Sequence, residues 1–221
     1  MMTYLNAINR VLRRLREDEV ASVTSTSYAK LVGDYINDAV RLVEDSWDWS
    51  ILRTTVTQSV TAADGIIPAI SKFTLPNVTS QFKTLNVINE TEKCFMDLGT
   101  QTELQKVKYI DPVTPSVPTH YVYGGDVTQG VLVDVYPIPD KTYTLQFNIV
   151  NRSDELTEAN DNIMVPYLPV IQFATAMAAE ERGETGGASA QALYGLAKSS
   201  LADAISMDAA RFPTETIWYD V

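Results

Sequence analysis

The sequence predicts an α+β protein: a discontinuous four-helix bundle built from both chain ends, with an antiparallel β-sandwich or barrel-like domain inserted between them. Three observations carry this expectation. Apolar residues recur at helical spacing in the first and last quarters of the chain. Between them the pattern changes to alternation rich in β-branched residues. Neither helical pair is long enough to bury its own stripe, so the two must share one core.

The first helix is expected over residues 3–16. Leu5, Ile8, Leu12 and Leu15 return at intervals of three and four, and Thr3 suits an N-cap. Arg10, Arg13, Arg14 and Arg16 occupy the opposite face. A polar segment over 17–26 leads into a second helix from Ser27 to Trp47. Its stripe comprises Tyr28, Leu31, Val32, Tyr35, Ile36, Ala39, Val40, Val43 and Trp47. No proline interrupts it, and at 1.5 Å per residue it spans roughly 30 Å.

From residue 52 the chain reads as strands: LRTTVTQSV (52–60), KFTL (72–75), QFKTLNVI (81–88), CFMDL (94–98), THYVY (119–123), GVLVDVYP (130–137) and TYTLQFNIV (142–150). Turn chemistry separates them at Asp64-Gly65, Asn89-Glu90-Thr91, Gly124-Gly125-Asp126 and Pro139-Asp140. A short helix, TELQKVKYI (102–110), interrupts the series, and Pro137 and Pro139 are expected to stop a strand at its edge. The acid-rich NRSDELTEANDN (151–162) reads as a solvated linker.

Helix then resumes. Pro166 and Pro169 fit a first turn, where amide donors are not yet needed. Tyr167, Val170, Ile171, Ala174, Met177 and Ala178 make one face, and Gly183, Gly186 and Gly187 end it. A last helix is expected from Ser189 to Arg211, with Leu193, Ala197, Leu201, Ala204 and Ile205 inward, before Pro213. The expected parts are therefore 1–51, a helical hairpin; 52–152, the β-domain; 153–211, the completing hairpin; and 212–221, an extended tail.

Composition narrows the function classes. An apolar fraction of 45% and a charged fraction of 20% are those of an ordinary globular chain. The start is amphipathic without a secretory h-region, and no apolar run approaches the roughly 18 residues of a membrane span. A net charge of −11 opposes tight nucleic-acid binding, which needs a basic face. One cysteine, Cys94, and one histidine, His120, cannot supply a typical zinc ligand set or, short of a chance meeting, a Cys-His pair. GETGG lacks the Lys-Ser/Thr sequel of a phosphate loop. Asp154, Glu155, Glu158 and Asp161 lack the spacing and central glycine of a calcium loop. No cofactor or metal is expected.

Two stretches invite a functional reading. In VEDSWDWSIL, Trp47, Asp48 and Trp49 could form an aromatic platform with a carboxylate, the minimum of a sugar-binding or glycoside-cleaving module. Against this, Trp47 continues the helix stripe into the bundle, leaving Asp48 and Trp49 to brace the turn into the β-domain. The second is FPTETIWYDV, where Phe212, Ile217, Trp218 and Tyr219 are large apolar groups in a short terminal segment. They can fold back on their own subunit or anchor to a neighbour or partner.

As an ordered set, several stretches resemble the head-to-tail adaptors of short-tailed bacteriophages, the tail tubular protein A-like connectors. They are NRVLRRLREDEVASV, YAKLVGDYINDAVRLVEDSWDWSILRTT, FTLP, PTHYVYGGD, VLVDVYPIPDKTYTLQFNIV and MVPYLPVIQFATAMAAEERGE. No one of these is specific by itself. The resemblance implies a non-enzymatic virion protein, assembled in the host cytoplasm into a ring, usually of twelve copies, between the portal protein and the tail nozzle protein. Genomic DNA would pass through without specific binding, which an acidic chain suits. The four tail residues would then dock on the portal or a neighbouring subunit. Competing classes are the carbohydrate module and a monomeric bacterial scaffold.

Overall fold

A computed structural model describes residues 1–62, 71–79, 81–110, 114–126, 130–183 and 188–211. The expected turn at Asp64-Gly65, the glycines at 186 and 187 and the tail from Phe212 lie outside the described residues. The fold is α+β, and the chain divides into two compact units, one of Met1–Leu52 with the chain from Ser153 onward, the other of Arg53–Arg152.

In the helical unit, α1 (Tyr4–Arg14) begins where the Thr3 hydroxyl accepts the Asn6 N–H at 3.4 Å. It buries Tyr4, Ala7, Ile8, Val11 and Leu12, a face rotated slightly from the expected one, so Leu5 and Leu15 are only half-buried. The Asn9 side chain holds both the N–H and the carbonyl of Val20, pinning the following loop. Helix α2 (Ser27–Ser46) starts at Thr26, whose hydroxyl accepts the Ala29 N–H at 3.0 Å. Its inward line is Ala29, Val32, Gly33, Ile36, Ala39, Val40, Val43 and Glu44.

The last two long helices are α4 (Tyr167–Arg182) and α5 (Ala188–Ala209). Pro166 precedes α4, and Gly183 closes it at φ 63°, the left-handed geometry that suits glycine after a helix. The apolar spacing predicts that α4 buries one face. The structure buries Pro169 through Ala176 without a break, then Ala178 and Ala179. A helix that is apolar all round belongs in the middle of its neighbours, and α4 does lie against α1, α2 and α5. By contrast, α5 packs mainly on α4. Its expected inward residues Leu193, Leu201, Ala204 and Ile205 stay half-exposed; only Ala197 is fully buried. A two-residue pair, β1 (Met2–Thr3) with β9 (Asn162–Ile163), fastens the start of the chain.

The other unit holds β2 (Arg53–Val60), β3 (Lys72–Thr74), β4 (Phe82–Asn89), β5 (Cys94–Leu98), β6 (His120–Asp126), β7 (Gly130–Tyr136) and β8 (Tyr143–Asn151). They form one sheet in the order β2-β8-β4-β5-β6-β7-β3. The sheet curls: Phe73 on the far edge meets Phe147 on β8 with ring centroids 5.9 Å apart, and Tyr121 of β6 meets the same ring at 6.0 Å. Val60, Val87, Val133, Tyr143, Leu145 and Ile149 fill the enclosed core.

Two expectations are corrected here. The sheet is mixed, because β5 and β6 run parallel. The chain between them contains α3 (Gln101–Gln105) and a wide turn at Lys106–Ile110. That length lets the chain return to the end it left from, which a hairpin cannot do. Thr100 and Glu103 make a reciprocal capping box at the start of α3. Secondly, Gly124-Gly125-Asp126 is not a turn but the end of β6, paired with Leu132, Val131 and Gly130. Gly130, at φ 84°, opens β7.

Candidate functional site

The stretch singled out as VEDSWDWSIL lies in the helical unit, and the structure assigns its tryptophans the reverse of the expected roles. Helix α2 ends at Ser46, and Trp47 is extended at φ −158°, ψ 153°. Beyond that point helical spacing no longer sets direction. Trp47 leaves the core stripe and is half-buried. The chain turns through Ser50–Leu52 and folds Trp49 back beneath the helix end, where it is 1% exposed. Its indole N–H donates to the Val43 carbonyl at 2.7 Å, satisfying an acceptor that the helix terminus leaves open. Buried in this way, Trp49 offers no face to a sugar, and the carbohydrate reading loses its platform.

What Trp47 meets was not expected. Its indole N–H donates to Asp208 Oδ2 at 3.2 Å. The Ser50 N–H donates to the same oxygen at 3.0 Å, and the Ser50 hydroxyl to Asp208 Oδ1 at 2.6 Å. Arg211 lies 3.6 Å from Oδ1 and 3.4 Å from the Ser50 hydroxyl. Burial pushes the Asp208 carboxyl up, but the Ser50 and Trp47 donors and the Arg211 charge outweigh it and hold it below its ordinary value. Asp208 thus ties α5 to the end of α2 across 158 residues of sequence.

A second clasp joins α2 to the segment read as a solvated linker. The Asn37 amide donates to the Leu156 carbonyl and accepts the Leu156 N–H, both at 3.1 Å. Leu156 is itself buried. Arg41 donates to the Ser153 carbonyl at 2.9 Å, and buried Glu44 accepts from the Ser153 amide at 3.3 Å and from its hydroxyl. Asp161 accepts the amides of Thr157 and Glu158, which hold its carboxyl below the ordinary value. Asp161 orders the backbone, as in a built turn, and the segment is docked rather than free.

Sequence reasoning missed Asp208, Glu44 and Asn37, although a signal was present. Asp208 falls four residues after Ala204 and seven after Leu201, on the stripe assigned to the core; Glu44 follows Val40 by four, and Asn37 follows Gly33 by four. A polar residue on an apolar stripe implies a buried partner.

His120 and Cys94 are not brought together. His120 sits opposite Asp97, three residues along β5 from Cys94, or roughly 10 Å at strand rise. It stacks on Tyr136 at 5.0 Å. Among the described residues no three His, Cys, Asp or Glu side chains gather as a metal site requires, and no helix is long and apolar enough to cross a membrane. The four tail residues Phe212, Ile217, Trp218 and Tyr219 lie outside the described residues.

Beside the Asp208 clasp opens a groove of about 390 Å³, whose lining includes Ser50, Val165 and Asp208. Its apolar walls include Ile51, Met164, Tyr167 and Met207, which are 47%, 39%, 43% and 72% exposed. Leu42, Leu168 and Leu196 add exposed apolar area elsewhere on the helical unit. In the β-unit Phe95, Leu98, Tyr109 and Ile110 do the same.

The helical unit uses Asp208, Glu44 and Asn37 to fasten distant parts of its chain to one another, and it keeps several large apolar side chains exposed. The chain belongs to the SU10 adaptor protein family, which it matches over residues 2–216. This is a family of phage head-to-tail adaptors, so the protein is a structural component of a virion. No curated protein matches the chain.

Proposed function

We propose that this chain is the subunit of an adaptor ring set between the portal protein and the tail nozzle protein of a short-tailed phage. The ring, of twelve copies, serves as a non-enzymatic conduit for genomic DNA during packaging, retention and ejection. The observation that carries the reading is the family match over 2–216, nearly the whole chain. Surface is consistent with it: α5 packs mainly on α4 and keeps Leu196 and Met207 in solvent, where a neighbouring subunit can cover them. Different faces of one subunit meeting head to tail close into a ring when the rotation permits. A net charge of −11 favours a bore along which DNA slides rather than sticks.

Within the subunit, residues 1–51 and 153–211 act as two hairpins of one discontinuous bundle, 52–152 as an inserted β-domain, and 212–221 as an arm. Phe212, Ile217, Trp218 and Tyr219 on that arm dock on the portal or on a neighbouring subunit in the assembled particle. Assembly takes place in host cytoplasm. The direct test is imaging of the purified protein mixed with portal rings. A second ring stacked on the portal, lost when the chain is cut after Arg211, is the expected result. Portal rings that stay bare under all solution conditions would overturn it.

A further inference from the structure

We propose that, before assembly, the groove beside the Asp208 clasp is the resting place of the subunit's own arm, residues 212–221, with Trp218 as its anchor. Three features of the molecule point there. The first is position. Arg211, the residue from which the arm departs, is itself part of the groove wall, and Met207 stands one helical turn before it. Trp218 follows Arg211 by seven residues, a reach of roughly 23–25 Å in extended chain. The arm can therefore double back across the opening without strain on its length. An attached segment also competes at an effective concentration of about millimolar, which a separate copy in dilute solution does not match.

The second feature is chemistry. Ile51, Met164, Tyr167 and Met207 give the groove an apolar wall, and methionines adapt to an aromatic or branched guest. The arm offers Phe212, Ile217, Trp218 and Tyr219 in ten residues. The third is charge. The arm carries Glu215 and Asp220 and no cation. Arg211 in the groove wall is balanced by Asp208, 3.6 Å away, which leaves Arg10, whose guanidinium lies 5.3 Å from the Tyr167 ring centre, to attract the arm's acids. The arrangement would keep the arm's aromatic residues off other surfaces until a partner with a better site withdraws them. It does not rest on which partner that is.

The test uses the full chain in a Cys94→Ser background with Met164→Cys and Thr216→Cys, oxidised at low micromolar concentration. The expected product is an intramolecular disulfide linking the two positions, identified by peptide mass mapping on a monomer-sized species. Adding Trp218→Ala should slow its formation by about tenfold or more, the scale of an aromatic anchor. Ile51→Cys in place of Met164→Cys provides a second pairing from another lining position, should the first variant fail to fold. A rate indifferent to Trp218 would show an arm that merely wanders, and disulfide-linked dimers would show that the groove takes a neighbour's arm; either overturns the proposal.

Discussion

Removing the Asp208 carboxylate tests the point at which α5 is tied to the end of α2. Three donors converge on it at 2.6–3.2 Å, from the Ser50 hydroxyl, the Ser50 amide and the Trp47 indole. Asp208 is 7% exposed. Hydrogen bonds to a charged group are worth about 1.5–3 kcal/mol each. The carboxylate's own desolvation, and the sharing of Oδ2 by two donors, reduce the sum. Asp208→Ala is therefore expected to cost about 3 kcal/mol, chiefly because the Ser50 and Trp47 donors lose their acceptor. For a chain of this size that lowers the unfolding midpoint by roughly 6–12 °C. Thermal unfolding followed by tryptophan emission reads the right unit, since Trp47 and Trp49 both lie in it.

The same variant has a pH signature. The folded carboxyl lies below its ordinary value of 3.8, so its contribution is complete above that value and is lost as pH falls through the lower folded one. The gap between wild type and Asp208→Ala should thus be full near neutrality and narrow as pH falls below 3.8. A Ser50→Ala partner variant completes a double-mutant cycle with an expected coupling of at least ~1 kcal/mol. A loss below about 1 kcal/mol, or a gap unchanged by acid, would refute the clasp.

Other expectations follow from the same geometry. Trp49→Ala should destabilise by about 3–5 kcal/mol in urea unfolding, as an emptied core site does, and should leave glycan-array binding at the wild-type background. Asn37→Ala breaks both bonds to the Leu156 backbone and should cost about 2 kcal/mol, with faster amide exchange at Leu156 as the specific readout. Gly33→Ala places a methyl against the Tyr4 phenol, whose Cζ would stand 3.2 Å away, and should cost about 1–3 kcal/mol by overpacking; Tyr4→Leu in the same chain should restore part of it. In the β-unit, burial pushes the Tyr123 hydroxyl up to about 12 despite its 2.7 Å hydrogen bond with Thr84. A raised folded value means stability that is complete below 10.0 and is lost as pH rises toward about 12. Tyrosinate absorbance should accordingly show a late step, coincident with unfolding, that Tyr123→Phe diminishes.

The helices and strands were legible because their signals are local. Thr3 caps α1, α2 starts at Ser27, and β7 ends at Tyr136 before Pro137, each as local signals indicate. The tryptophans were misassigned because helical spacing was carried one residue too far: once Ser46 ends α2, Trp47 and Trp49 exchange roles. The parallel pairing of β5 with β6 was hidden because strand direction depends on a crossover, and the turn residues Gly124-Gly125 pair as strand because β7 supplies their partners. The docked segment from Ser153 to Asp161 looked like linker since its composition is polar. Its order comes from Asn37, Arg41 and Glu44 more than 100 residues away.

Those long-range bonds share a purpose that composition alone conceals. The helical unit is made from two pieces of chain separated by a hundred-residue insertion, Arg53–Arg152. Closing so long a loop carries an entropic cost that apolar stripes must offset, and apolar contact is indifferent to small slips of one helix along another. A buried carboxylate with three fixed donors is not indifferent: a slip of one turn strands it without partners, at several kcal/mol. Asp208 at one end of α2, and Glu44 with Asn37 along its side, therefore fix the register of the returning chain, while α4 supplies the bulk of the burial. On this view, exchanging Asp208, Ser50 and Trp47 together for apolar residues of similar size should retain much of the stability yet broaden the amide spectrum of α5. A variant as sharply ordered as the wild type would show that packing alone sets the register.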